Sequence, residues 1–135
     1  MILAFFVPGV VYLADAVGTQ TETIVIRGLS VGIPIGRVFA RELLTGALAG
    51  VALAGLFYPV AILRWGQPDV ALSVALTLFA ACVDATIVGM ALPWLFQRLR
   101  SDPAFGTAPI STVIQDLLSI IIYFLIAAAL VSIGA

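Results

Sequence analysis

Four stretches of almost unbroken apolar residues, each at or beyond the ~20 residues that carry an α-helix across a bilayer, constrain this chain more than any other feature. They run from Ile2 to Ser30, Val38 to Leu63, Asp69 to Leu99 and Pro109 to Ile133. The breaks between them are short and rich in turn-forming residues: Gly32, Pro34 and Gly36 in the first, "RWGQPD" in the second, "RLRSDPAFGTA" in the third. Hydrocarbon offers the backbone no hydrogen-bond partners, so such stretches can only be helices or strands of a closed barrel, and their length selects helices. The reading is an all-α integral membrane protein with four transmembrane helices, forming one domain over residues 1–135. It lies in the cell membrane as a multi-pass protein, with lipid around it and no nucleic acid among its partners.

Composition decides what chemistry such a bundle can host. With 63% hydrophobic and 10% charged residues, no histidine and one cysteine, the chain has no thiolate or imidazole set for zinc, copper or iron. A metal here must be oxygen-bound. No disulfide can form within one chain, and Cys82 is expected to pack as a small hydrophobe. The first apolar run has no basic residue before it and no small-residue cleavage site, so it is expected to be mature structure and not a signal peptide.

In a four-span topology Arg27, Arg37, Arg41, Arg98 and Arg100 fall on one side of the membrane and Arg64 on the other. The excess of arginine marks the cytoplasmic side, which puts both chain ends outside. An outward first helix with no upstream sequence is unusual, which leads to the expectation that chain once preceded Met1. In the second span Gly46, Gly50 and Ala54 recur every four residues. That spacing of small residues suits close helix pairing in lipid, although Ala and Gly are common in membrane helices in any case.

Polar residues fall into stripes. At 100° per residue Pro8, Tyr12, Asp15, Thr19 and Glu22 lie within about 80° of one another on the first helix, and Pro109, Thr112, Asp116, Ser119 and Tyr123 do the same on the last. Gln20 and Thr21 lie elsewhere. The third helix carries Ser73, Thr77 and the deep Asp84. An ionised carboxylate near the membrane centre costs at least about 2.5–3.5 kcal/mol, and no arginine lies at that depth to offset Asp15, Asp84 or Asp116. Some of these acids could be protonated or paired across helices, and Glu22 lies near enough to Arg27 for a plain ion pair. The other partners are protons, metal cations, or water in a pore. Carboxylates and hydroxyls in line along a helix suit a hard divalent ion such as Mg²⁺, which keeps several waters and uses one or two carboxylates. In a homodimer each acid would double, and two facing carboxylates favour a cation between them.

The segments "VYLADAVGTQTETIVIRGL", "RELLTGALAGVALAGLF" and "GMALPWLFQRLRSDPAFGTAPISTVIQDLLSIIIYFLIA" resemble the last four transmembrane helices of the MgtE-type magnesium transporters, divalent cation transporters related to a eukaryotic solute carrier group. The resemblance covers nearly the whole chain. It implies transport of Mg²⁺ and no enzymatic activity. It also implies a homodimer with the pore at its axis, lined by the helices that match residues 1–30 and 109–134, where Tyr12, Thr19, Ser119 and Tyr123 are the candidate pore-lining residues. The family's central ion site matches Asp116 and the backbone carbonyl of Thr112. Asp15, Glu22 and Asp84 are further candidates for contact with the metal. The family's membrane domain has five helices, preceded by cytoplasmic regulatory domains. An equivalent of neither the first helix nor those domains is present in this sequence, so a separate regulatory or paired subunit is a possible partner. Ala16 and Asp15 stand at and beside a family asparagine, and Asp84 where a neutral residue is usual.

Two other functions fit parts of the pattern. An accessory subunit or half-transporter that needs a different partner chain would carry the same acids at a heteromeric interface. An intramembrane enzyme acting on a lipid phosphate through Mg²⁺ would need basic residues to clamp phosphate, and the mid-membrane stretches contain none.

Overall fold

The computed structural model describes residues 2–133; Met1, Gly134 and Ala135, the ends of the expected domain, lie outside the described residues. Four long helices follow one another: α1 (Ile2–Ser30), α2 (Ile35–Trp65), α3 (Pro68–Arg98) and α4 (Thr107–Ile133). All four are long and apolar enough to cross a membrane. At 1.5 Å per residue they measure ~40–47 Å, longer than the ~30 Å hydrocarbon core. This explains why three of them begin before the apolar residues do. Pro34, with φ −68° and ψ 138°, is extended and starts α2 three residues earlier than hydropathy suggests. Gly66 ends α2 in the left-handed conformation at φ 65°, its N–H bonded to the Ile62 carbonyl at 2.8 Å, and Pro68 opens α3 two residues on.

α3 is the hub. It packs against each of the other three helices, while among the described residues α2 and α4 do not meet. Some 61% of its most apolar segment is buried, against 17–22% in the others. Its sequence suits this place, because Ala71, Ser73, Ala75, Ala81, Cys82, Ala85 and Gly89 keep the surface low and let neighbours approach closely. Gly46 and Gly50 of α2 use that surface within the same chain. A Cβ on Gly46 would overlap Thr86 Oγ1, and one on Gly50 would stand 3.0 Å from the Phe79 Cα.

The hydroxyls of α3 are satisfied locally. Ser73, Thr77 and Thr86 donate to the carbonyls of Asp69, Ser73 and Cys82, each one turn back, at 2.7, 2.7 and 2.8 Å.

The interior has two apolar clusters. The larger joins Phe6, Val10 and Ala14 of α1 to Val74, Leu78, Ala81 and Ala85 of α3 and to Tyr123 of α4. The smaller joins Val25 and Leu29 of α1 to Met90 of α3. Between them on α1 lie Gly18, Thr21 and Glu22, all buried. At opposite ends of the bundle a tryptophan carries an arginine over its ring, Arg64 over Trp65 at 5.5 Å and Arg98 over Trp94 at 4.9 Å. Aromatic rings and basic groups concentrate where a membrane helix meets the headgroups.

Candidate functional site

Three helices cross in the band between the two apolar clusters, and the crossing depends on two glycines. A Cβ on Gly89 of α3 would stand 2.7 Å from the Gly18 carbonyl oxygen of α1. On the other side of Gly18 lies the carboxamide of Gln115 from α4, whose Oε1 occupies the place that a Cβ there would take. Gln115 is 1% exposed, and its Nε2 donates to Ser111 Oγ at 2.7 Å. Neither glycine nor the Ser111–Gln115 pair was an expected site residue. The available signal was an amide within an apolar span, one turn after a serine.

The buried row of α4 advances by four residues at a time, through Thr107, Ser111, Gln115, Ser119, Tyr123 and Ala127. This row divides the expected stripe. Thr112 and Asp116 lie beside it and are half-buried at the subunit edge, whereas Ser119 and Tyr123 are each 1% exposed inside the subunit. The Tyr123 hydroxyl donates to the Leu3 carbonyl of α1, so in this subunit it ties two helices together. Pro109 is exposed.

The stripe on α1 divides in the same way. Tyr12 and Thr19 face outward, with Gln20 and Thr23 beside them, Asp15 is half-buried, and Glu22 is buried at 4% exposure. A stripe drawn on one helix spans about 80°, and the packing boundary between neighbouring helices falls within that width. Thr19, Gln20, Thr23 and Ile24 line a shallow outward groove. Asp15 and Asp116 are half-buried residues of α1 and α4, two helices that pack against each other.

Among the described residues five buried polar side-chain atoms lack a hydrogen-bond partner: Asp15 Oδ1, Glu22 Oε1, Asp84 Oδ2, Gln115 Oε1 and Ser119 Oγ. Four of the five belong to α1 or α4. The expected alternative of a Glu22–Arg27 pair is not made through Oε1, and Arg27 is exposed. Among the described residues no three acidic or cysteine side chains converge to hold a metal ion. What the chain presents is an edge with single carboxylates, a hydroxyl-bearing outward face on α1, and the carbonyl of Thr112 one turn before Asp116.

The MgtE family model, described as a divalent cation transporter, matches residues 7–126. Among curated proteins, a magnesium transporter MgtE from Bacillus subtilis is 35% identical over 133 residues, which cover 96% of this chain and 30% of the relative. Proteins of the same name are each 32% identical in Enterococcus faecalis, over 93% of this chain and 29% of the relative, and in Thermus thermophilus, over 93% and 28%. The chain thus spans less than a third of the length of these relatives. Its four membrane-length helices and the match across nearly all of them make it a membrane protein, and it belongs to the MgtE family of divalent cation transporters.

Proposed function

We propose that this chain carries Mg²⁺ across the membrane as one half of a homodimer, with α1 and α4 nearest the axis and Asp116 as the central ion ligand. One observation carries the reading: α1 exposes Tyr12, Thr19, Gln20 and Thr23, and Asp15 of α1 with Thr112 and Asp116 of α4 is left half-buried beside that face. On a membrane span such a surface needs a polar neighbour or water, because lipid satisfies neither a carboxylate nor an amide. A second copy related by twofold symmetry supplies the same polar surface and doubles every acid.

In this arrangement Asp116 faces its own copy, and a cation between them offsets their repulsion. Mg²⁺ gives up its waters reluctantly and is held through them by few carboxylates, so one acid per subunit is enough. The Thr112 carbonyl has a second lone pair beyond its helical bond and can accept from a water on the ion. Asp15, on the helix packed beside α4, draws cations toward the site, and Glu22 lies about two turns further along α1. Asp84 is on the hub helix and has no place at this edge. The four helices correspond, on this reading, to the last four of a five-helix membrane domain. The printed names of the relatives favour Mg²⁺ among divalent ions.

The test is Asp116→Asn, which keeps the shape of the side chain and is cheaper to bury. A ligand that binds only the folded state raises the melting temperature. Millimolar Mg²⁺ should therefore raise the melting temperature of the wild type in detergent and leave that of Asp116→Asn unchanged, and vesicles containing the variant should take up no Mg²⁺. If the variant keeps both, Asp116 is not the central ligand. A monomer that transports in vesicles would remove the dimer, and a second, different chain required for uptake would make this a half-transporter.

A further inference from the structure

We propose that Gln115 is a positioning residue, and that its carboxamide, laid on Gly18 and tied to Ser111, fixes the rotation of α4 that aims Asp116 out of the subunit. The inference rests on the reading of Asp116 as the ion ligand.

The contact is unusually specific for a membrane interior. Oε1, Cδ and Nε2 of Gln115 would all lie within 2.7 Å of a Cβ on Gly18, so the whole amide plane occupies the space that glycine leaves open. The Gly18 carbonyl also lies 2.7 Å from where a Cβ on Gly89 would stand, so α1 is packed closely against α3 at the same residue. The amide is held from its own helix as well, through the 2.7 Å bond from Nε2 to Ser111 Oγ. α4 therefore has one rotational setting at this level in which the carboxamide fits.

The chemistry of the residue points the same way. Gln115 Oε1 is buried and has no partner, an arrangement that costs stability and that a leucine of similar volume would avoid. An amide is the less stable filler but the more directional one, since its plane and its hydrogen bond restrict both its own rotamer and the helix that bears it. Asp116 is the next residue, 100° around the helix. With the carboxyl ~6 Å from the helix axis, a 20° rotation of α4 would move it by ~2 Å, several times the ~0.5 Å tolerance of a functional site.

Three variants of the 135-residue chain in detergent, with Mg²⁺ as the probe, test this against plain packing. Gln115→Leu keeps the volume and removes the tie to Ser111, Gly18→Ala pushes the carboxamide away, and the double variant Gly18→Ala with Gln115→Ala removes the clash. The readout is the Mg²⁺ concentration for half-maximal thermal stabilisation, measured apart from the melting temperature without Mg²⁺. Each single variant should raise that concentration about tenfold or more, and the double variant, which relieves the clash but lacks the carboxamide, should regain melting temperature without Mg²⁺ relative to Gly18→Ala while keeping the raised Mg²⁺ concentration; a double variant with the wild-type concentration dependence would make the contact one of packing alone. Asp116→Asn, run alongside, should show no Mg²⁺ response. If the single variants shift only the Mg²⁺-free melting temperature and keep the wild-type concentration dependence, Gln115 is a packing residue and the proposal is wrong. If Gly18→Ala fails to fold, Gln115→Leu alone decides the matter. If Asp116→Asn still responds to Mg²⁺, the failure belongs to the assignment of the ion ligand.

Discussion

α3 and the α1–α4 edge are both polar for membrane segments, and they handle that polarity in opposite ways. On α3 the hydroxyls of Ser73, Thr77 and Thr86 each donate to a carbonyl one turn back, so their single protons are spent within the helix. Along α1 and α4, atoms of Asp15, Glu22, Gln115 and Ser119 are buried without partners, while Tyr12, Thr19 and Gln20 face outward and only the exposed Thr23 donates back, to the Thr19 carbonyl at 2.9 Å. A polar side chain in a membrane helix is therefore a sign of function only after its local hydrogen bond has been sought. The hydroxyls of α3 serve the fold, and the edge of α1 and α4 holds unspent binding capacity.

The contrast can be broken most severely at the point where the two regions touch. Gly89→Val would drive a side chain into the Gly18 carbonyl, and overpacking of this kind costs typically 1–3 kcal/mol and occasionally more. We expect a loss of about 3 kcal/mol in reversible unfolding, or no folded protein. A loss below about 0.5 kcal/mol, within the range of an ordinary surface substitution, would mean that α1 and α3 do not approach as closely as the two glycines imply.

Asp84 is the exception on α3, with Oδ2 buried and unpartnered. Asp84→Asn should raise stability by about 1–2 kcal/mol, because a buried acid without a partner is replaced by a neutral amide, and Mg²⁺ uptake should persist. Loss of uptake would move Asp84 from the hub into the ion path and blur the division between the two regions. The smallest effect is expected from Thr77→Val, which removes one local hydrogen bond and should cost about 1 kcal/mol or less with no change in uptake. A large uptake defect there would show that the α3 hydroxyls are not merely structural.

Much of this was legible in the sequence, and the limits are physical. Four spans follow from apolar length, and their starts moved outward by one to three residues where Pro34, Pro68 and Thr107 open helices in the polar boundary. The stripes identified Thr112, Asp116, Asp15 and Thr19 as residues at or beside an open face. They also included Ser119, Tyr123 and Glu22, which packing takes inside. A helical wheel places residues relative to one another and carries no information on which row meets a neighbour. Here the buried row of α4 steps strictly by fours, through Gln115 and not through Asp116. Gln115 was unreadable for a related reason, since its meaning comes from Gly18, far away in the chain.

The two arginine-capped tryptophans give the bundle a depth scale. Along α3, Pro68 directly follows the Trp65 turn, and the rise from there to Trp94 is ~39 Å, close to the ~40–45 Å thickness of a bilayer with its headgroups. Gly89, abreast of Gly18 and Gln115, lies ~31 Å from the first marker and only ~8 Å from the second. An ion at Asp116 would thus have passed most of the membrane's electrical distance when entering from the Trp65 side, and little of it from the arginine-rich side. Moving one charge across 100 mV is worth about 2.3 kcal/mol, and a divalent ion carries twice that. Wherever the path is narrow enough to keep the field across it, occupancy of this site would follow the membrane voltage.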